Sequence, residues 1–376
     1  MRILVAPQEF KGTLTAASAA AALAEGARRA VPGADVRATP LSDGGPGLVE
    51  VLIDAAAGDY LTTSVHDPLM RPVMARWGRL SDGTAVIEMA AASGLTLVAP
   101  DERDALAATT YGTGELIRAA LDADATRILL GIGGSATTDA GAGAMHALGA
   151  RLLDAAGVDL PEGGVHLQRL ARFDLGGVDR RLRSCLISVA TDVRNPLVGP
   201  EGAARVYAPQ KGATPAQVDA LERALARFAE VARAQLGIDL AAIEGGGAAG
   251  GLACGLLLVS EARIEPGFDL VARTLDLDGQ IRAADIVLTG EGRLDEQTSF
   301  GKTVAGVARM ARAAGKRVGV VAGSVAPRAD RTIFDDVEAC DADGGGPPPS
   351  SEAARDALIA ATQRLLARVL SHPERR

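Results

Sequence analysis

Two stretches of this chain concentrate residue types that could bind a polyanion. Thr289–Thr303, read TGEGRLDEQTSFGKT, sets Glu291, Arg293, Asp295, Gln297 and Lys302 between an apolar run ending at Leu288 and a helical pattern beyond Thr303. In an open α/β sheet, ligands bind at the carboxyl ends of the strands. Unlike charges packed this closely are more readily explained by a ligand than by a solvated turn. Phe300-Gly301-Lys302-Thr303 matches the end of a P-loop, but that pattern needs a glycine where Glu296 stands. The common Walker motif is therefore ruled out.

The second stretch, Gly131-Ile132-Gly133-Gly134-Ser135-Ala136-Thr137-Thr138-Asp139, follows an apolar run and opens a helix. Its glycines permit close backbone approach, and free N–H groups at a helix start attract anions. It also fits G-x-G-x-x-A, and Asp154 stands where a dinucleotide fold needs a ribose carboxylate. A nicotinamide-dependent oxidoreductase is thus one reading. Asp139 weighs against it, because a first-turn carboxylate would face the pyrophosphate with like charge, which a kinase carrying Mg²⁺ tolerates better. A tight strand–helix turn that uses glycine only for packing is the third reading.

Thr191-Asp192-Val193-Arg194-Asn195-Pro196 ends another apolar run. Asp192 is either a general base for a hydroxyl, a Mg²⁺ ligand, or the head of an Asx-type turn that Pro196 closes. Leu41-Ser42-Asp43-Gly44-Gly45 poses the same choice for Asp43. Ala208–Gly212 adds Lys211, and Gly245–Gly251 is a second glycine-rich loop. His66, His146, His166 and His372 do not cluster, so Ser-His-Asp hydrolysis and a histidine metal site are poorly supported.

The elements that must position these residues read as α/β. Ile3–Ala6, Ile128–Gly131, Leu186–Ala190, Ile286–Thr289 and Val318–Ala322 are short, branched and apolar, as buried parallel strands are. Helical patterns start near Thr15, Thr214 and Ser351, and Val304, Val307, Ala308 and Ala311 form one stripe. Thr214-Pro215-Ala216-Gln217 combines a capping box with proline at the first helical position. Thr62–Met89 breaks the rhythm as strand, turn, strand, with Ser81-Asp82-Gly83 as a hairpin turn. With 376 residues, two domains are expected. The expectation is a flavodoxin- or Rossmann-like parallel-sheet domain, 1–60 with 283–376, split by an inserted mixed α/β domain, 61–282.

A net charge of −8 leaves no basic footprint for nucleic acid or anionic lipid. Cys185, Cys254 and Cys340 form no C-x-x-C pair and no disulfide framework. The chain enters a strand at once, without a signal-peptide pattern, and contains no apolar run of the ~20 residues that span a bilayer. A cytoplasmic protein with no nucleic-acid or membrane partner is expected. A homodimer is left open.

Taken in order, the segments resemble the bacterial glycerate kinase family that uses ATP. The resemblance rests on Ala6-Pro7 with Phe10-Lys11-Gly12, Pro40–Gly45, Gly131–Gly141, Thr191-Asp192-Val193 with Asn195-Pro196-Leu197, Pro209–Ala213, Gly247–Leu252 and Thr289–Lys302. It runs nearly end to end. It implies two α/β domains with the site in the cleft between them, and MgATP and D-glycerate as reactants, 2-phosphoglycerate being favoured over 3-phosphoglycerate as product. Phosphoryl transfer depends on positioning and charge neutralisation. On that basis Lys11, Lys211, Arg293 and Lys302 are expected around phosphates or the glycerate carboxylate, and Asp192 as base. Asp192 and Asp43 are the expected Mg²⁺ ligands, with Asp295 also acting through the ion. Gly133, Gly134, Ser135, Thr137, Asp139, Glu291 and Gln297 complete the expected substrate contacts. The chain departs from the family where Gln8-Glu9 replaces Asp-Ser, and where Pro46 and Leu48 replace an acid and a threonine. A kinase for another small hydroxy acid, or a weakly active paralogue, is the alternative those changes suggest.

Overall fold

The computed structural model describes residues 1–296, 303–340 and 350–371. Gln297, Lys302 and the DADGGGPPP tract lie outside them. Thirteen strands run along the described chain: β1 Arg2–Val5, β2 Asp35–Ala38, β3 Asp59–His66, β4 Pro72–Arg79, β5 Ala85–Glu88, β6 Arg127–Gly131, β7 Arg151–Leu153, β8 Arg172–Asp174, β9 Leu186–Ala190, β10 Arg263–Glu265, β11 Ile286–Leu294, β12 Arg317–Val325 and β13 Asp336–Ala339.

Two compact units divide the chain, Met1–Asp43 with Phe268–Arg376, and Gly44–Gly267. The division therefore falls earlier than the positions near 60 and 283 read from the sequence. The helix Leu48–Ala56 packs on β4 and β5 and so belongs with the inserted unit. Phe268, by contrast, lies against the backbone of Gly306 in the split unit.

The split unit is a five-stranded parallel sheet in the order β13-β12-β11-β1-β2. Numbered within the unit, that order is 2-1-3-4-5, the flavodoxin arrangement, whose switch point lies between its first and third strands. Ile3, Val5 and Leu288 pack with Ala19, Ala22 and Leu23 of the helix Ala16–Ala30 and with Leu358, Ile359 and Leu365 of the helix Ser351–Ser371. Thr15 caps the first of these helices, its hydroxyl accepting from the Ser18 N–H, as its position before an alanine-rich run suggests.

The inserted unit has a six-stranded sheet, β10-β9-β6-β5-β4-β3, and a two-stranded ribbon, β7-β8. β10, β9, β6 and β5 are parallel, while β5-β4 and β4-β3 are antiparallel. The sheet is mixed, as the hairpin signal at Ser81-Asp82-Gly83 predicts. The capping box at Thr214 and Gln217 forms in full, with Gly237 ending that helix at φ 72°. Cys185, Cys254 and Cys340 form no disulfide among the described residues.

Candidate active site

In the split unit, the switch point between β1 and β11 gathers the polar residues. Ala6 and Gln8 donate their N–H groups to Leu288 and Gly290 carbonyls at 2.7 and 3.0 Å, so the segment after β1 runs on beside β11. β11 itself continues to Leu294, paired with β12 through Val325. Thr289–Leu294 is therefore strand where the sequence reads as loop. Glycine explains how a polar segment stays in the sheet here. A side chain on Gly290 would meet the Val321 carbonyl at 2.6 Å, and one on Gly323 the Gly292 carbonyl at 2.5 Å.

Along this edge Lys11 and Arg293 are exposed, Asp43 and Asp295 half-buried, and Glu291 buried. Gln8, one of the family departures, donates to the Glu291 carboxylate at 3.1 Å. Its partner at the second departure, Glu9, has its carboxyl held above the ordinary range by burial; Lys11 opposes that shift and Asp43 adds to it.

In the inserted unit, four loops meet at the carboxyl ends of β6 and β9, and they meet backbone to backbone. A Cβ on Gly44 would lie 2.8 Å from the Ala190 carbonyl, and one on Gly133 would lie 2.7 Å from Gly45 Cα. Gly250, at φ +68°, approaches so closely that a Cβ would sit 2.1 Å from the Thr137 carbonyl. Gly247 is pressed likewise on the Pro196 carbonyl at 2.1 Å. Only glycine allows these approaches. The Gly245–Gly251 loop is thus the packing partner of both the Gly131–Gly141 and the Thr191–Pro196 loops.

The Gly131–Gly141 loop has an outer and an inner limb. Gly134 is exposed and Gly133 and Ser135 half-buried, whereas Thr137, Thr138 and Asp139 are fully buried. The Asp139 carboxylate accepts from the Thr110 N–H and hydroxyl, both at 2.8 Å, and from the Gly141 and Gly143 N–H groups at 3.1 and 3.2 Å. Burial pushes its pKa up, and the Thr110 hydrogen bonds oppose that. Asp139 and Thr137, expected as substrate contacts, are both interior, and four internal donors hold the Asp139 carboxylate. Lys211, expected near phosphate, is interior as well. It is 2% exposed, and its ammonium donates to the Thr137 carbonyl at 2.5 Å.

Asp192, by contrast, is exposed, and its Oδ1 accepts from the Gly267 N–H at 2.8 Å. That bond orients the carboxylate. The oxidoreductase reading fails on topology. After β6 the chain passes through a short helix to β7, which pairs antiparallel with β8 in the separate ribbon, so β6 does not open the compact βαβ unit that a dinucleotide fingerprint requires. Asp154 closes a local turn, accepting from the Ala156 and Val158 N–H groups at 2.9 and 3.0 Å.

Sequence reasoning overlooked Glu88. Its Oε1 accepts from the Gly47 and Val49 N–H groups at 3.0 and 2.8 Å, so it caps the helix Leu48–Ala56 and steadies the Gly44–Gly47 turn. Its position as the acid ending the apolar strand Ala85–Glu88 was the available signal. The other two departures lie at this turn. Pro46 borders Gly134, and Leu48 is fully buried.

A flavodoxin-order unit with an acid-and-base-lined switch point and a glycine-looped mixed unit define a two-unit α/β protein. The glycerate kinase family model matches residues 3–371, and the chain belongs to that family. It is 49% identical over 326 residues to the glycerate kinase of Bacillus subtilis (strain 168), covering 86% of this chain and 85% of that one. It is 45% identical over 326 residues to the glycerate 2-kinase of Escherichia coli (strain K12), covering 86% of each. A crystal structure from Salmonella typhimurium LT2 matches with a TM-score of 0.87 at 41% identity, over 100% of both chains. The chain is therefore an enzyme, a kinase, and ATP is the phosphoryl donor that membership implies. Among the described residues, no helix is long and apolar enough to cross a membrane.

Proposed function

We propose that this enzyme transfers the γ-phosphoryl group of ATP to the 2-hydroxyl of D-glycerate. The observation that carries the reading is the family match over residues 3–371, within which the polar strand ends of both units fall. The 2-position is favoured by the 45% identity to a relative named glycerate 2-kinase. Asp192 is assigned as the base that takes the hydroxyl proton as the O–P bond forms; its exposure and the Gly267 hydrogen bond suit that role. Lys11, Arg293 and Lys302 are assigned to the phosphates and the glycerate carboxylate, where positioned cations offset charge. The exposed limb Gly133–Ser135 is assigned to phosphate contact through its backbone.

Mg²⁺ that travels with a nucleotide keeps several waters and needs only one or two protein carboxylates. Asp192 and Asp43 are carboxylates of that kind and are assigned to it, and Asp295 is assigned to act through the ion. Among the described residues, no cluster of three or more His, Cys, Asp or Glu side chains could hold a metal by itself. When bound, it would neutralise phosphate charge. The protein is further proposed to act in the cytoplasm.

ADP release with D-glycerate, followed by ³¹P NMR of the product, tests both levels. The expected product is 2-phosphoglycerate. A 3-phosphoglycerate product would overturn the regiochemistry alone. No ADP release with D-glycerate, but release with another small hydroxy acid, would overturn the acceptor.

A further inference from the structure

Lys211 ends a single helical turn, Pro209–Lys211, and Gly212 at φ 97° then redirects the chain toward the long helix Pro215–Leu236. Its stem and ammonium are buried, although lysine is almost never buried without a partner. Within the inserted unit its ammonium reaches a carbonyl, that of Thr137, at the middle of the inner limb of the Gly131–Gly141 loop. The compensating charge comes from Asp139, two residues on, which lies beyond salt-bridge distance and is held by Thr110, Gly141 and Gly143. Burial pushes the Lys211 pKa down to about 7 and Asp139 opposes that shift; as ammonium or amine the side chain still carries N–H donors.

A planar peptide transmits this anchorage. Fixing the Thr137 carbonyl fixes the plane of the Thr137–Thr138 peptide and hence where its N–H points. The other side of the same limb is fixed by Gly250, whose carbonyl accepts from the Ala140 N–H at 2.9 Å. At the far end, the Ala136 N–H donates to the Ser93 carbonyl and the Leu95 N–H to the Gly134 carbonyl, both at 2.9 Å. The inner limb is therefore pinned at Ala136, Thr137, Asp139 and Ala140. Within Gly131–Gly141 only the outer turn, Gly133–Ser135, keeps exposed or half-buried residues.

We propose that Lys211 is a positioning residue for nucleotide binding, acting through the Thr137 carbonyl to preset the Gly133–Ser135 turn. This rests on the assignment of that turn to phosphate contact. Lys211→Met keeps length and removes the donor and charge. It is expected to raise the KM for ATP about 30-fold, the scale of a slightly misplaced binding group, with the KM for D-glycerate unchanged. Fewer folded molecules alone would lower kcat and move neither KM.

Hydrogen exchange of the full-length protein provides the readout independent of activity. In Lys211→Met the amides of residues 131–141 should exchange at least tenfold faster, with those of the split unit unchanged. Unchanged exchange there, or an unchanged KM for ATP in an active enzyme, overturns the proposal. An inactive wild-type chain would overturn the kinase reading instead and leave exchange to decide the clamp. Should Lys211→Met not fold, Asp139→Asn removes the compensating charge and is expected to give the same local acceleration; its absence overturns the proposal equally.

Discussion

The two units solve one problem in opposite ways. The split unit lines its switch point with side chains, and Lys11, Arg293, Asp43 and Asp295 keep exposed or half-exposed charge. The inserted unit builds its strand ends from backbone, with Gly44, Gly133, Gly247 and Gly250 at near-contact distances, and it buries Asp139 and Lys211 as internal struts. Charge that faces outward can be exchanged for another charge at little cost to folding, because exposed ionic interactions contribute little stability. Backbone packed on backbone tolerates no added atom. The family departures Gln8 and Glu9 lie on the first kind of surface, where a changed acceptor preference would arise without loss of fold.

The sharpest test of this contrast concerns catalysis. Asp192 is the inserted unit's exposed acid, and Lys302 is the lysine assigned to phosphate in the split unit. Asp192→Asn and Lys302→Ala are each expected to lower kcat by about 10²- to 10⁴-fold, the range of a lost proton acceptor or charge stabiliser. Melting temperatures should stay near wild type. Wild-type rates in both variants would remove the residue assignment, whatever the family.

The next test reads stability. Gly250→Ala would force a Cβ to 2.1 Å from the Thr137 carbonyl at a φ of +68°, and overpacking plus backbone strain should cost about 3 kcal/mol. Gly292→Ala in the split unit would meet only the Lys11 N at 3.2 Å and Phe10 backbone beside it. A shift of a few tenths of an ångström relieves that contact, so about 1 kcal/mol or less is expected. Equal midpoints in urea would mean that the two units do not differ in this respect.

This contrast also marks what could be read in advance. Short apolar runs ending in Gly, Asp or Pro located β1, β6, β9, β11 and β12 because burial on both faces leaves a continuous hydrophobic signature. The polar extension Thr289–Leu294 was legible as chemistry but not as strand, because its place in the sheet depends on β12 and on glycines that admit Phe10 and Gly323. Asp139 and Lys211 carried the composition of a binding site. Their burial is set by Thr110, some thirty residues away, and by Thr137, 74 residues before Lys211. No local pattern encodes such distances. The exposed acid Asp192 was legible as base, metal ligand or turn, and its Gly267 partner, 75 residues on, was not legible.

If the inserted unit does use its ionisable groups as struts, they should show up in stability against pH. Lys211 is the clearest case. Its folded value of about 7 lies below the ordinary lysine value of about 10.4, so the unfolded chain binds more protons between them. Stability should therefore rise with pH across that window, and the contribution should be lost as pH falls through about 7. Lys211→Met should flatten the rise in urea-unfolding midpoints between pH 7 and 10. A parallel rise in the variant would assign it to other groups.

The smallest effect comes from a surface pair of the same unit and runs in the opposite direction. His146 Nδ1 lies 2.6 Å from Glu162, whose other oxygen accepts from the Thr109 hydroxyl. That hydrogen bond raises the imidazole pKa against the opposing effect of burial. A raised histidine contributes stability fully present below its unfolded value of about 6.5 and lost as pH rises through the folded value. The imidazole is 46% exposed, so solvent screening should hold the contribution below about 1 kcal/mol. His146→Ala should lower the urea midpoint slightly at pH 5.5 and leave it unchanged at pH 8.5, because only the protonated ring attracts Glu162. A larger loss at pH 8.5 than at 5.5 would mean that His146 stabilises by packing, its ring edge-on to Tyr111 at 5.7 Å, and that charge at this surface is as inert as the contrast between the units requires.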